Sequence, residues 1–207
     1  MVPPSWQTIA KEVCGAGAGE PPPRVCIVGA KSTGKSTMSR LIANALLARA
    51  GAVVYLDTDM GQGEFSPPGT VAATLVSGPV FGPPWMQQAA RPDLKPWVVR
   101  YLGDTSPQGD PVGYLRAVQA LLADAAAAFP NAPVVVNTHG WTRGTGLDLL
   151  LEVTCPTVRV YAGGALPLSP TLMSSRSGSR LVADLGSGRA LPRRRHAADG
   201  RVEATDA

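Results

Sequence analysis

Val25-Cys26-Ile27-Val28-Gly29-Ala30-Lys31-Ser32-Thr33-Gly34-Lys35-Ser36 is the stretch whose reading decides the fold class. Val25 to Val28 form a short apolar run ending in glycine, the pattern of a parallel strand buried on both faces. From Ser36 onward Met38, Leu41, Ile42, Ala45 and Leu46 recur at helical spacing, and Gly51 stands where a helix C-terminus favours glycine. Between strand and helix, residues 29–36 satisfy GxxxxGK[ST]. Glycines let backbone N–H groups turn inward around phosphate oxygens, and the helix N-terminus adds partial positive charge. The nucleotide contacts are therefore placed on Gly29, Ala30, Lys31, Ser32, Thr33, Gly34, Lys35, Ser36 and Thr37. Lys35 is expected to reach the β and γ phosphates of a nucleotide triphosphate, and Ser36 to offer its hydroxyl to Mg²⁺.

Outward from this loop, strands and helices alternate. A second strand is predicted over 52–56, running into Asp57-Thr58-Asp59, and further strands near 74–77, 97–102, 134–136 and 158–161. Helices are predicted over 111–128, with Pro111 in its first turn and Pro130 beyond its end, and over 145–152. The expected fold is α/β, a P-loop NTPase-type parallel sheet flanked by helices. In open sheets of this class ligands bind at the carboxyl ends of strands, so the loops after Val28, Leu56, Leu102 and Val136 are the expected site.

The chain has 207 residues, 44% of them apolar and only 5% aromatic, enough for one globular domain with a core. Its charge is uneven. Residues 1–162 hold 12 Lys+Arg against 11 Asp+Glu, whereas 163–207 hold 7 Arg against 4 acids and no Phe, Trp or Tyr. Such a segment buries too little apolar surface to offset its ordering entropy, so it is expected to be a disordered basic tail. The predicted organisation is a leader over 1–23, a P-loop domain over 24–162 and the tail over 163–207. The three cysteines, Cys14, Cys26 and Cys155, are widely spaced and suggest neither a disulfide framework nor a zinc site. No run of eighteen apolar residues and no signal-type apolar segment is present, so no membrane partner is expected.

Many reactions use a phosphate loop, and carboxylates narrow the choice. Val134-Val135-Val136 ends in Asn137, so that strand supplies no acid; Asp57 and Asp59 follow the second strand instead. Their spacing of two puts them on one face if the strand persists that far. A carboxylate there either holds the shell of a metal ion or accepts the proton of an attacking hydroxyl, so Ser36, Asp57 and Asp59 are the candidate metal residues. No NKxD pattern of guanine-nucleotide enzymes occurs.

Further motifs follow in order: Asp57-Thr58-Asp59-Met60-Gly61-Gln62-Gly63-Glu64-Phe65 with Pro67-Pro68-Gly69, then Gly103-Asp104-Thr105-Ser106-Pro107, then Asn137-Thr138-His139-Gly140-Trp141-Thr142-Arg143-Gly144-Thr145-Gly146. Together with the phosphate loop, over about residues 24–161, they resemble the polynucleotide 5′-hydroxyl kinase family, whose members include a nucleolar ribosomal-RNA-processing kinase and a subunit of the pre-mRNA cleavage machinery. The resemblance implies Mg²⁺-dependent transfer of the ATP γ-phosphate to the 5′-hydroxyl end of RNA, and in some members DNA, within RNA-processing complexes of the nucleus, the nucleolus in particular. It implies Lys35 and Asp59 as catalytic residues, Asp59 being the general base. Gln62, Thr105, Ser106, Trp141 and Arg143 become substrate contacts, with Trp141 clasping the terminal base. Independently of the match, an aromatic face can stack on any base, a contact worth about 1 to 3 kcal/mol, and an arginine beside it can pair with a phosphate. His139 receives no chemistry from its neighbours in sequence.

The resemblance also implies flanking domains and an arginine-bearing lid, which the pattern does not show; Arg176, Arg180 and Arg193 to Arg195 are the residues of the tail that offer such charge. Two other readings fit the same residues. One is an ATP-binding scaffold of an RNA-processing complex with little or no catalysis, and the other is a P-loop kinase of a small metabolite.

Overall fold

The computed structural model describes residues 2–15, 21–91, 94–154, 159–163 and 182–184. In chain order the elements are α1 (Pro4–Cys14), β1 (Arg24–Gly29), α2 (Lys35–Ala50), β2 (Val53–Asp57), β3 (Thr70–Val76), α3 (Pro84–Ala90), β4 (Val98–Tyr101), α4 (Pro111–Ala128), β5 (Val134–Asn137), α5 (Thr145–Thr154), β6 (Arg159–Gly163) and β7 (Val182–Asp184). The strands form one seven-stranded sheet in the order β4-β3-β2-β5-β1-β6-β7.

The local signals behave as the sequence predicts. Gly51 ends α2 in the left-handed conformation at φ 73°, its N–H donating to the Leu47 carbonyl. Asp110 caps α4 by accepting from the Gly113 N–H at 2.8 Å, and Pro111 occupies the first turn, where its missing N–H costs nothing. Along β1 the side chains alternate. Val25 and Ile27 join Met38, Ile42 and Leu46 of α2 on one face of the sheet. Cys26 and Val28 join Tyr114, Val118 and Leu121 of α4 and Leu150 of α5 on the other. Helices thus cover both faces, which is why β1, β2 and β5 are buried almost throughout.

The structure departs from the expectations in one respect and adds to them in two. First, the sheet is mixed. β1, β2, β5, β6 and β7 run parallel to their neighbours in that set, but β3 is antiparallel to both β2 and β4. No helix lies between β2 and β3, so the chain turns back on itself instead of crossing over. The same excursion contains α3, which its glycines and prolines concealed.

Second, the leader is no mere extension. Its α1 buries Ile9, Ala10 and Val13 against α2, with Trp6 and Cys14 packed beside them. Full burial of an Ile or Val side chain stabilises by about 1.5 to 3 kcal/mol each, so α1 is part of the core. Third, within the segment expected as a tail, Val182–Asp184 pairs with β6 as an additional strand. Arg176, Arg180 and Arg193 to Arg195 lie outside the described residues. Among the described residues no helix is long and apolar enough to cross a membrane.

Because β3 reverses the chain and β4 reverses it again, β4 runs in the direction of β2. The chain therefore leaves β1, β2, β4 and β5 at the same edge of the sheet. All four loops named from the sequence meet there.

Candidate active site

The four loops line one open cleft of about 830 Å³. That is the size expected of a site for a ligand of nucleotide dimensions. Lys31, Ser32 and Gly34 to Thr37 come from the loop after β1 and the start of α2. Asp59, Gly61 and Gln62 come from the loop after β2, Thr105 to Gln108 from the loop after β4, and His139 to Trp141 from the loop after β5.

The phosphate loop is built by backbone conformation. Ser32 has φ 65°, a left-handed geometry unusual for a residue with a side chain, and Gly34 has φ 87° at the N-cap of α2. No side chain caps α2, so the N–H groups of its first turn face the cleft without an acceptor in the chain. Thr33 Oγ1 and Lys35 Nζ both donate to the Ala30 carbonyl, at 2.8 and 3.0 Å, and hold the loop closed on itself. Lys35 is only 6% exposed. Burial pushes its pKa down, and the charge of Asp59 pulls it partly back. Unpaired N–H groups, a helix N-terminus and a buried ammonium make an anion site for phosphates.

Gly34 also explains the position of α1. A Cβ on Gly34 would come within 2.8 Å of the Trp6 ring, so the indole closes against the back of the phosphate loop. On the other side of the loop, a Cβ on Gly140 would approach the Lys31 backbone N to 3.0 Å. The loop is held between two close backbone approaches, neither of which follows from the GxxxxGK[ST] pattern.

The two acids expected to act together are parted. β2 ends at Asp57, so Asp59 lies in the loop and the shared strand face does not extend to it. Asp57 is 2% exposed and outside the cleft lining. Its carboxylate accepts from the backbone N–H groups of Glu64 and Asp59 and from Asn137 Nδ2 at 3.2 Å. Burial nevertheless raises its pKa to about 7. Asp57 is thus a buried buttress joining β2, β5 and the loop, and its expected place as a metal residue finds no support in this geometry. Asp59 lines the cleft, with Oδ1 accepting the Gly61 N–H at 3.1 Å. Among the described residues no cluster of three or more His, Cys, Asp or Glu side chains could hold a metal ion. A Mg²⁺ ion at Ser36 and Asp59 would therefore need phosphate oxygens to complete its shell.

Facing the phosphate loop, the loop after β4 is shaped by Asp104, whose Oδ1 accepts the Thr105 and Ser106 N–H groups at 2.6 and 3.2 Å. Asp104 is a turn cap and presents Thr105 and Ser106 to the cleft. Gly61 fits beneath them, since a Cβ there would meet the Thr105 carbonyl at 3.0 Å. Trp141 lies on Gly146 at the start of α5, where a Cβ would come within 2.3 Å of the indole. Arg143 is exposed and outside the cleft lining, so the structure does not group it with Trp141.

His139 is the residue that sequence reasoning passed over. It is 3% exposed, lines the cleft and packs edge-to-face on Tyr114 at 5.4 Å. Its Nδ1 accepts the Trp141 N–H at 3.2 Å. Burial, with Lys35 nearby, pushes its pKa down to about 4, so it is neutral near pH 7. Gln108 also lines the cleft without a sequence signal of its own.

The contact of Trp141 with Gly146 carries a prediction. Gly146→Ala places a methyl group where the indole lies and tips Trp141 out of position, although alanine itself suits a helix. The expected result is a loss of about 10-fold in affinity for a single-stranded oligonucleotide, from a stacking contact of about 1 to 3 kcal/mol. Nucleotide affinity, measured by the same titration with ATP, should stay within about 2-fold.

A mixed sheet with a strand–phosphate loop–helix unit, a carboxylate after the second strand and facing hydroxyls defines a P-loop domain. A sequence model of the family described as mRNA cleavage and polyadenylation factor CLP1 P-loop matches residues 29–161, and the chain belongs to that family. It is 38% identical over 179 residues to polynucleotide 5′-hydroxyl-kinase GRC3 of Gibberella zeae, covering 80% of this chain and 24% of that protein. It is 35% identical over 160 residues to polynucleotide 5′-hydroxyl-kinase NOL9 of Arabidopsis thaliana, covering 74% and 42%. With NOL9 of Danio rerio it shares 35% identity over 131 residues, covering 63% and 17%. The chain thus spans less than half the length of each of these relatives. In fold it is similar to the chain solved in a wild-type Clp1p–Pcf11p complex, at a TM-score of 0.65 and 19% identity over 80% of this chain and 42% of that one.

Proposed function

We propose that this chain is the catalytic domain of an ATP-dependent polynucleotide 5′-hydroxyl kinase acting on RNA ends. The observation that carries the reading is the single cleft that joins Lys35, Ser36, Asp59 and the Thr105–Ser106 loop to Trp141. A phosphate cradle alone would suit many reactions. A cradle, an available carboxylate and an aromatic face in one cleft suit transfer of a phosphoryl group to the end of a base-bearing strand.

In this reaction the bond between the γ-phosphorus and the β–γ bridging oxygen breaks, and a bond forms between that phosphorus and the 5′-oxygen. The hydroxyl proton passes to Asp59, and ADP leaves. The first-turn N–H groups of α2 and Lys35 hold the phosphates, and Trp141 fixes the terminal base so that the 5′-hydroxyl approaches in line. Ser36, with Asp59 beside it in the cleft, would hold a Mg²⁺ ion, which would supply charge neutralisation to the phosphates.

We place this activity in RNA processing in the nucleus, the nucleolus in particular, beside partner subunits; the family's description as an mRNA cleavage and polyadenylation factor supports the processing role, and the Clp1p–Pcf11p complex supports a partner. The test is transfer of labelled phosphate from ATP and Mg²⁺ to matched 5′-hydroxyl RNA and DNA oligonucleotides. Labelling of RNA is the expected result, and labelling of DNA as well would extend the acceptor class. ATP binding without labelling of either strand would overturn the enzyme reading in favour of a scaffold. Phosphorylation of a small alcohol that persists in Trp141→Ala would favour a metabolite kinase.

A further inference from the structure

We infer that Tyr101 is a second stacking platform, at the rim of the cleft, for a base of the acceptor strand beyond the terminal one. The inference rests on the reading of the cleft as the site of a polynucleotide end.

A strand whose 5′ end is held at Trp141 has to leave the cleft, and the side of the phosphate loop is taken by the phosphates of the nucleotide. The opposite wall is made by Gln62 and by the loop of Thr105 to Gln108. Tyr101, the last residue of β4, lies outside that lining but against its base. A Cβ on Gly103 would lie 3.5 Å from Tyr101 Cε1, and one on Gly69 would lie 3.7 Å from Cε2. Both glycines belong to the framework of the wall. Gly103 precedes Asp104, which sets Thr105 and Ser106 in place, and its N–H donates to the Gly69 carbonyl at 3.2 Å. The Gly69 N–H donates in turn to the Met60 carbonyl at 2.8 Å, one residue before Gly61 of the cleft lining. The ring is therefore laid across the two backbone segments from which the wall rises.

Its exposure suits a platform. Tyr101 is 79% exposed, more than any other large apolar side chain among the described residues. Gly69 and Gly103, at φ 83° and 79°, carry no side chain to cover the ring, so it is held from beneath and left bare on the outside. An aromatic ring left in water forgoes the stabilisation of burial. A neutral π-face fixed beside the path of a strand accepts any base, which suits an enzyme of strand ends that vary in sequence. The Asp104 carboxylate nearby already accepts two backbone N–H groups, which offsets its charge where phosphates would pass.

The experiment compares two acceptors by equilibrium titration, which needs no turnover: a short 5′-hydroxyl oligoribonucleotide and a nucleoside 3′-phosphate. The ratio of their affinities isolates contacts beyond the terminal nucleotide. Tyr101→Ala should lower the ratio about 10-fold, as for loss of one base–aromatic stack, with nucleoside 3′-phosphate affinity kept within about 2-fold. Tyr101→Phe should hold the ratio within about 2-fold. Tyr101→Leu still covers the two glycines but has no flat face, so it should fall as far as Tyr101→Ala.

A ratio unchanged in Tyr101→Ala, or kept in Tyr101→Leu, overturns the inference and reduces the ring to a cover for Gly69 and Gly103. An equal loss for both acceptors overturns it too, as does a parent chain that binds the oligonucleotide no more tightly than the nucleoside 3′-phosphate. Labelling separates this inference from the reading beneath it. A chain that labels RNA ends with no change of ratio in Tyr101→Ala keeps its kinase activity and loses the platform. A chain that labels no acceptor yet shows the expected ratios keeps the platform and loses the kinase reading.

Discussion

Asp59→Asn is expected to leave a folded protein that binds ATP and transfers phosphate about 10³-fold more slowly, within the range of 10²- to 10⁴-fold for loss of a general base. The expectation comes from how Asp59 is held. Oδ1 is engaged by the Gly61 N–H at 3.1 Å, and asparagine can make the same contact with its amide oxygen. The loop should therefore keep its shape, with the amide nitrogen in place of the free carboxylate oxygen. An amide nitrogen donates a hydrogen bond to the acceptor oxygen instead of taking its proton. The loss should appear in kcat, with KM for the oligonucleotide nearly unchanged, because the contact matters when the proton moves. Single-turnover labelling of a 5′-hydroxyl RNA measures this directly. An Asp59→Asn protein that turns over within about 5-fold of the parent would remove Asp59 from the base position.

The second large effect is expected from Lys35→Ala. Lys35 is the buried cation of the phosphate loop, and its Nζ lies 3.0 Å from the Ala30 carbonyl with Asp59 close enough to influence its charge. Its loss removes both the charge that meets the β and γ oxygens and one bond that closes the loop. A fall of about 10³-fold in kcat is expected, the scale seen when one cation that stabilises the transferred group is lost. Unlike Asp59→Asn, this change should also weaken ATP binding. Titration of ATP and of ADP separates the contributions, since Lys35 is assigned to the β and γ groups and the ratio of the two affinities should shrink. Lys35→Arg should not rescue the reaction, because the fork of a guanidinium does not fit where a compact ammonium is buried.

The fold was legible where local chemistry dictates it. The phosphate loop, the glycine after α2, the first-turn proline of α4 and the apolar runs of β1, β2 and β5 each signal their own structure in a few residues. What the sequence hid depends on partners far away in the chain. Helix α1 begins at Pro4, after Pro3, and gains its stability from Ile9 and Val13 against α2, a contact that periodicity in eleven residues announces weakly. The reversal at β3 depends on the lack of a crossover helix within a segment dense in glycine and proline.

The site divides along the same line. Lys35, Ser36, Asp59, Thr105, Ser106 and Trp141 were readable as residue types with fitting chemistry, and all line the cleft. Asp57 and Asp59 are parted because an i, i+2 spacing means a shared face only while the strand lasts, and β2 stops at Asp57. Arg143 was grouped with Trp141 on adjacency, yet two residues along a loop need not point the same way. His139 was passed over because nothing beside it in sequence suggests a use. Its significance lies in Tyr114 and the Trp141 backbone, and only the folded chain brings the ring, the phosphate loop and the cleft together.

The antiparallel excursion through β3 and β4 has a consequence for how such a domain can diversify. The phosphate cradle is made by one continuous segment, β1 to α2, whereas the wall opposite is delivered from Gln62, the Thr105–Gln108 loop and Trp141, each on a separate return of the chain. Between β2 and β4 the returning chain also fastens onto α2, through Glu64 on Arg40 and Val80 on Asn44. The two walls of the cleft are thus supplied by different stretches of the chain. Substitutions in the returning loops can retune which strand end is accepted while the machinery that holds the phosphates stays as it is.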